Sequence, residues 1–200
     1  MSGDYARTME TVAWESGEWV NEPPQWNVES DSLIVYTALE SDLWRTTSYG
    51  FVHDTGHGLL APLADGRAME LTIAAEYSQS FDQAGMLVWS DKEHWVKCGI
   101  ELSDGVLGIG AVVTNEHSDW SAAPVSELDD GPLQLRISRS GDALTIRWRV
   151  GDIPWRLLRL APINPDAVWK AGPYAASPTR EGLEVHFSDW REGAADSSLH

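Results

Sequence analysis

Between residues 81 and 115 the chain reads FDQAGMLVWSDKEHWVKCGIELSDGVLGIGAVVTN, three consecutive runs in which side chains alternate in character. Alternation with period two marks strands that bury one face. Asp104-Gly105 is a two-residue hairpin signal. A turn there pairs Leu102 with Leu107, Ile100 with Ile109, Cys98 with Ala111 and Val96 with Val113. All four pairs are apolar, so the register is self-consistent. The loop from Ser90 to His94 likewise sets Trp89 opposite Trp95, Val88 opposite Val96 and Met86 opposite Cys98. One face of this meander is therefore core. The other carries Gln83, Gly85, Leu87 and Trp89, then Trp95, Lys97, Gly99 and Glu101, then Gly108, Gly110, Val112 and Thr114. The register lines up Gly85, Gly99 and Gly110, and glycines inside strands mark close approach by a ligand or another backbone. Trp89 and Trp95 wall one end of the resulting trough, Gln83 and Glu101 stand at the other, and Lys97 lies between. This face is the candidate binding surface.

The rest of the chain repeats the strand pattern. A strand is expected around 33–37, and 67–77 alternates with Leu71, Ile73, Ala75 and Tyr77 on one side. Residues 41–61 read as loops around short strands, and 118–124 as an edge or loop segment. A turn at Gly141-Asp142 joins 133–138 to 143–150, pairing Ile137 with Ile146 and Leu135 with Trp148. A returning strand at 154–160 follows, leaving Arg136, Arg147 and Arg156 on an outward, solvated face paired with acids. Asn164-Pro165-Asp166 predicts one short helical or 3₁₀ turn. Leu183, Val185 and Phe187 form the inner row of a last strand. Residues 1–11 and 192–200 read as tails around one domain spanning 12–191. With no long amphipathic helix and no fixed-period repeat, the fold class is all-β, a single antiparallel sandwich.

Charge narrows the partners. Fourteen Lys and Arg against 31 Asp and Glu leave a net charge of −17. Nucleic acids and anionic membranes, which need clustered basic residues, are excluded as partners. The single cysteine, Cys98, permits no disulfide within the chain and faces the core as an inert thiol. No signal-like or membrane-length apolar run occurs, so the expected location is cytoplasmic. Eleven tryptophans exceed what one sandwich core absorbs, so some are expected at the surface.

Several segments, taken in order, carry a resemblance. FDQAGMLVW (81–89), WVKCGIELSDG (95–105), SDWS (118–121), AGPYAASP (171–178) and DLWRTTSYGF (42–51) resemble a family of the concanavalin A-like lectin/glucanase superfamily. That family includes the yeast regulation-of-enolase protein and bacterial relatives, and the likeness runs over about residues 20–190. It implies a jelly-roll sandwich of two antiparallel sheets. The yeast member's name implies a regulatory influence on a glycolytic enzyme, with no role assigned to individual residues.

Three functions compete. Sugars present apolar faces that stack on aromatic rings and hydroxyls that pair with amides, acids and amines. Gln83, Trp89, Trp95, Lys97 and Glu101 supply that mixture, with Trp44, Arg45, Tyr49, Trp120 and Tyr174 as a rim from loops. The alternative for Trp89 and Trp95 is a cross-strand pair that covers the sheet. A hydrolase needs two carboxyl groups. The central strand offers Glu101 alone, so a partner would have to come from a loop, such as Asp42, Asp54 or Asp119. Exposed tryptophans also suit a protein partner. His53 and His57 in HDTGH lack further ligands, so no metal or other cofactor is assigned. The reading is a non-catalytic module binding a carbohydrate or related polar small molecule. A regulatory protein-interaction module and a carbohydrate-active hydrolase are the alternatives.

Overall fold

The computed structural model describes residues 8–199. In chain order the strands are β1 (Glu10–Thr11), β2 (Glu18–Val20), β3 (Gln25–Glu29), β4 (Ser32–Tyr36), β5 (Leu43–Arg45), β6 (Val52–Asp54), β7 (His57–Pro62), β8 (Arg67–Ala75) and β9 (Gln83–Asp91). They continue with β10 (His94–Ser103), β11 (Val106–Asn115), β12 (His117–Pro124), β13 (Leu133–Ser140), β14 (Ala143–Val150), β15 (Arg156–Pro162), β16 (Lys170–Ala176) and β17 (Glu184–Ala194). One antiparallel sheet has the order β15-β14-β13-β8-β17-β4-β3, with β1 added on β17. The other runs β12-β11-β10-β9-β16-β7-β2, and β5-β6 form a separate hairpin. This is the all-β sandwich of two antiparallel sheets that the alternation and the resemblance both implied.

The core fills the space between the sheets. Met69, Leu71 and Ile73 of β8 and Leu144, Ile146 and Trp148 of β14 pack in one cluster with Val88, Val96, Cys98 and Ile109 of the second sheet. Each such side chain fully withdrawn from water contributes about 1.5–3 kcal/mol. The meander has the expected register, with Val96 on Val113, Ile100 on Ile109, Trp95 on Trp89 and Gly99 between Gly85 and Gly110. Asp104 and Gly105 take φ of 51° and 75°, the left-handed pair that a tight hairpin turn requires. Ile137 on Ile146 and Leu135 on Trp148 hold as well.

The glycine row has a backbone cause. A Cβ at Gly85 would lie 1.8 Å from the Cys98 carbonyl oxygen, and at Gly99 2.2 Å from that of Ala84. At Gly110 it would lie 2.6 Å from the Ser121 oxygen. Neighbouring strands approach so closely that no side chain fits.

Asn164-Pro165-Asp166 makes the single turn of the two forms expected, and no helix: the Asn164 side chain accepts the Asp166 N–H, and its carbonyl accepts from Ala167 and the Trp169 indole. Other expectations are corrected. The last strand runs past residue 192 to Ala194. Beyond it the Asp196 carboxylate accepts from Arg136 at 3.0 Å and Arg147 at 3.1 Å. Arg136 also donates to Glu70 at 2.7 Å and is only 4 % exposed, so its acid-paired face is covered there by the C-terminal segment. Of the N-terminal tail, residues 1–7 lie outside the described residues, and Glu10–Thr11 pair with Glu192 and Arg191.

One feature builds the site. A second apolar cluster lies on the outer face of the β2–β12 sheet and joins Leu43, Trp44, Leu60, Leu87, Trp95, Val112, Tyr174 and Ala176. The β5-β6 hairpin roofs this part of the face. Its fastening is polar: the Arg45 N–H donates to Ser118 Oγ at 2.9 Å, and Ser118 shares a hydrogen bond with Thr114. The Arg45 guanidinium donates to Glu93 at 2.8 Å and to the Glu116 carbonyl at 3.3 Å.

Candidate functional site

Beside the roofed area the same sheet face opens into a cleft of about 310 Å³. Aromatic side chains make its walls. Trp44, Tyr49, Phe51 and His53 come from the β5-β6 hairpin, Phe81 from the loop before β9, and Trp120 from β12. The hairpin rings form a chain: Trp44 meets Tyr49 edge-on at 5.7 Å, Tyr49 stacks on Phe51 at 5.3 Å, and Phe51 meets His53 at 4.5 Å. Tyr49, Phe51, Phe81 and Trp120 are 62, 43, 42 and 40 % exposed, so each offers surface to a ligand. The hairpin loop is strained at Thr46 and Ser48, which have positive φ. A β-branched residue rarely takes that conformation. Thr46 holds it because its N–H donates to Phe51, its carbonyl accepts from Gly50, and its hydroxyl bonds His117.

The floor is polar and already connected. Lys97 Nζ donates to Asp42 Oδ1 at 3.0 Å and to Gln83 Oε1 at 2.9 Å. The Tyr174 hydroxyl donates to the same Gln83 oxygen at 3.0 Å, and Gln83 Nε2 donates to Asp42 Oδ1 at 3.3 Å. Lys97 is 6 % exposed, with Nζ 5.7 Å from the centre of the Tyr174 ring. Pairing with Asp42 makes the buried ammonium tolerable. Glu101 completes the floor. Burial pushes its carboxyl above the usual range; Lys97 pulls it down and Asp42 pushes it up. Burial, then the Asp42 and Glu101 charges, raise the Tyr174 phenol well above its usual value.

The structure sorts the candidate residues. Gln83, Lys97, Glu101, Trp44, Tyr49 and Trp120 line the cleft together. Tyr174 is buried at 2 % exposure and reaches the floor only through Gln83. Trp95 has no exposed surface and packs in the cluster under the hairpin, where its indole donates to the Lys92 carbonyl. Trp89 packs against the same cluster, half-buried and outside the cleft lining. The expectation that these two tryptophans form an open wall is therefore corrected: the hairpin occupies that position. Arg45 also lies outside the lining and fastens the hairpin. Asp42, one of the loop carboxylates considered, does reach the floor. Phe51, His53, Phe81 and Thr179 are additions. For Phe51 and His53 the signal was their alternation in YGFVHD, within a segment read as loops around short strands. His57 is spent structurally: its Nε2 accepts the Ala38 N–H at 3.0 Å and its Nδ1 donates to the Asn21 carbonyl at 2.8 Å.

Comparison with known proteins matches this architecture. The yeast (Saccharomyces cerevisiae) protein named "Regulation of enolase protein 1" is 36 % identical over 174 residues, 87 % of each chain. A crystal structure of a functionally unknown protein from Saccharomyces cerevisiae superposes with a TM-score of 0.87 at 34 % identity, covering 93 % of this chain and 100 % of that one. The GH43 protein BlXynB from Bacillus licheniformis superposes with a TM-score of 0.70 at 14 % identity, covering 92 % of this chain and 38 % of its own. That likeness is one of fold. A family profile described as "Protein of unknown function (DUF1349)" matches residues 19–194, and the chain belongs to that family.

Proposed function

We propose that the protein is a non-catalytic cytoplasmic module that binds a carbohydrate or related polar small molecule in the aromatic-walled cleft. One observation carries this reading: four partly exposed aromatic side chains surround a floor of Lys97, Gln83, Asp42 and Glu101. Ring faces suit the apolar sides of a sugar, and the floor suits its hydroxyls. The test is calorimetric titration with mono- and oligosaccharides, comparing wild type with Trp120→Ala and Phe51→Ala. Each truncation removes a platform worth about 1–2 kcal/mol, so binding should weaken roughly 5- to 30-fold. Unchanged affinity in both variants would reject the cleft as the site.

A second reading is a regulatory module docking a metabolic enzyme, favoured by the name of the yeast relative. The same exposed aromatics would then be the contact. Capture of one enzyme by wild type and not by Trp120→Ala supports it. Equal capture by both counts against it. Hydrolysis is less favoured, because Asp42 Oδ1 is taken by Lys97, Gln83 and the Leu43 N–H.

A further inference from the structure

The hydrogen bonds left over at the cleft floor define the charge of its ligand. Lys97 spends donors on Asp42 and Gln83, and the Gln83 oxygen already accepts from Lys97 and Tyr174. Among the described residues no hydrogen bond reaches Asp42 Oδ2 or either carboxyl oxygen of Glu101. An ionised carboxylate only accepts, whereas a hydroxyl or ammonium can donate. The spare capacity of the floor is therefore weighted to acceptors. Its formal charge leans the same way, with one ammonium against two carboxyls. The nearby guanidinium groups are committed elsewhere, Arg45 to Glu93 and Arg180 to the buried Asp82.

A second observation concerns size. Next to the cleft, and sharing Gln83, Lys97 and Glu101 with it, is a notch of about 30 Å³ over Gly99 and Gly110. It admits about one water-sized group. A hydroxyl or amino substituent fits and a phosphate does not.

Resting on the saccharide reading, we infer that the cleft selects uncharged or amino-bearing sugars and rejects phosphorylated ones. Hydroxyl or ammonium protons go to Asp42 and Glu101, and one small substituent enters the notch. A phosphate would bring negative charge against two carboxyls, with no guanidinium among the described residues that line the cleft to meet it. The feature is thus a selectivity filter against sugar phosphates.

The test is calorimetric titration with matched probes: glucose, xylose, galactose and mannose, their disaccharides, their phosphates, and glucosamine and galactosamine. Wild type, Glu101→Gln and Trp120→Ala are compared, each checked for an intact thermal transition. Like-charge juxtaposition is costly, so each phosphate should bind at least about tenfold more weakly than its parent sugar. Glu101→Gln should narrow that gap and weaken the amino sugars most. A phosphate binding as tightly as its parent, and losing affinity in Trp120→Ala, overturns the selectivity while leaving the cleft a sugar site. Binding by no sugar in the panel overturns both.

Discussion

Replacing Trp95 by alanine separates packing from binding. The indole has 0 % exposure. Truncating a buried tryptophan costs about 3–5 kcal/mol in lost transfer energy and cavity formation. The indole hydrogen bond to the Lys92 carbonyl, 3.3 Å long, adds about 1 kcal/mol. Domains of this kind hold only about 5–15 kcal/mol in total, so the loss is a large fraction of it. In guanidinium chloride, with a slope of about 2–6 kcal/mol/M, the unfolding midpoint should fall by roughly 1 M. The same change at Trp120, 40 % exposed on β12, should cost less than about 1.5 kcal/mol. Equilibrium unfolding followed by tryptophan fluorescence and circular dichroism measures both. If Trp95→Ala moves the midpoint by less than about 0.3 M yet abolishes saccharide binding, the hairpin roof does not cover this residue in solution. The reasoning about the second cluster then fails.

Other changes test the remaining framework. Gly85→Ala places a methyl 1.8 Å from the Cys98 carbonyl oxygen and should cost about 3 kcal/mol or more, visible as a lowered guanidinium midpoint. Asp82 has no exposed surface; it accepts from Arg180 and from the N–H groups of Ser78 and Gln79. Asp82→Asn should lose about 3 kcal/mol, and an unchanged melting curve would contradict a structural role for the pair. Burial pushes the Asp82 carboxyl up, but Arg180 and the two N–H groups hold it below the usual value. Its stabilisation is thus present above about pH 4 and disappears as pH falls through the folded value. Burial lowers the His57 pKa, and the Asn21 carbonyl opposes this only in part. The unfolded chain then takes up the proton first, so stability is full above about pH 6.5 and declines as pH falls from there through the folded value. His57→Gln should flatten that slope in urea melts at a series of pH values, and an unaltered slope would refute the assignment.

How much was legible in the sequence depended on distance along the chain. The β9-β10-β11 register followed from local turns and alternation, because a one-residue slip would turn every apolar side chain out. The row of Gly85, Gly99 and Gly110 was legible too, although its cause is backbone crowding. The fate of Trp95 was not. Alternation assigns a residue to one of two faces, but it cannot say what covers that face. The cover here comes from Leu43 and Trp44, some fifty residues earlier, and reads as mixed loop sequence. Asp42 reaches Lys97 for the same nonlocal reason. The single turn after Asn164 was legible because Gly172-Pro173 follows too soon for a helix to extend.

The position of β17 carries a consequence for synthesis. This strand lies between β8 and β4, so among the described residues it is the strand that ties the β3-β4 hairpin into its sheet. While a nascent chain lacks it, β8 and β4 are both open edges, and Leu33, Val35 and Ile73 have no Val185 or Phe187 beside them. Open, apolar edges invite pairing with other chains. The chain must therefore be made through β17, which ends at Ala194, before the larger sheet can close, and the interval before closure is when the protein is most exposed to aggregation and to chaperones.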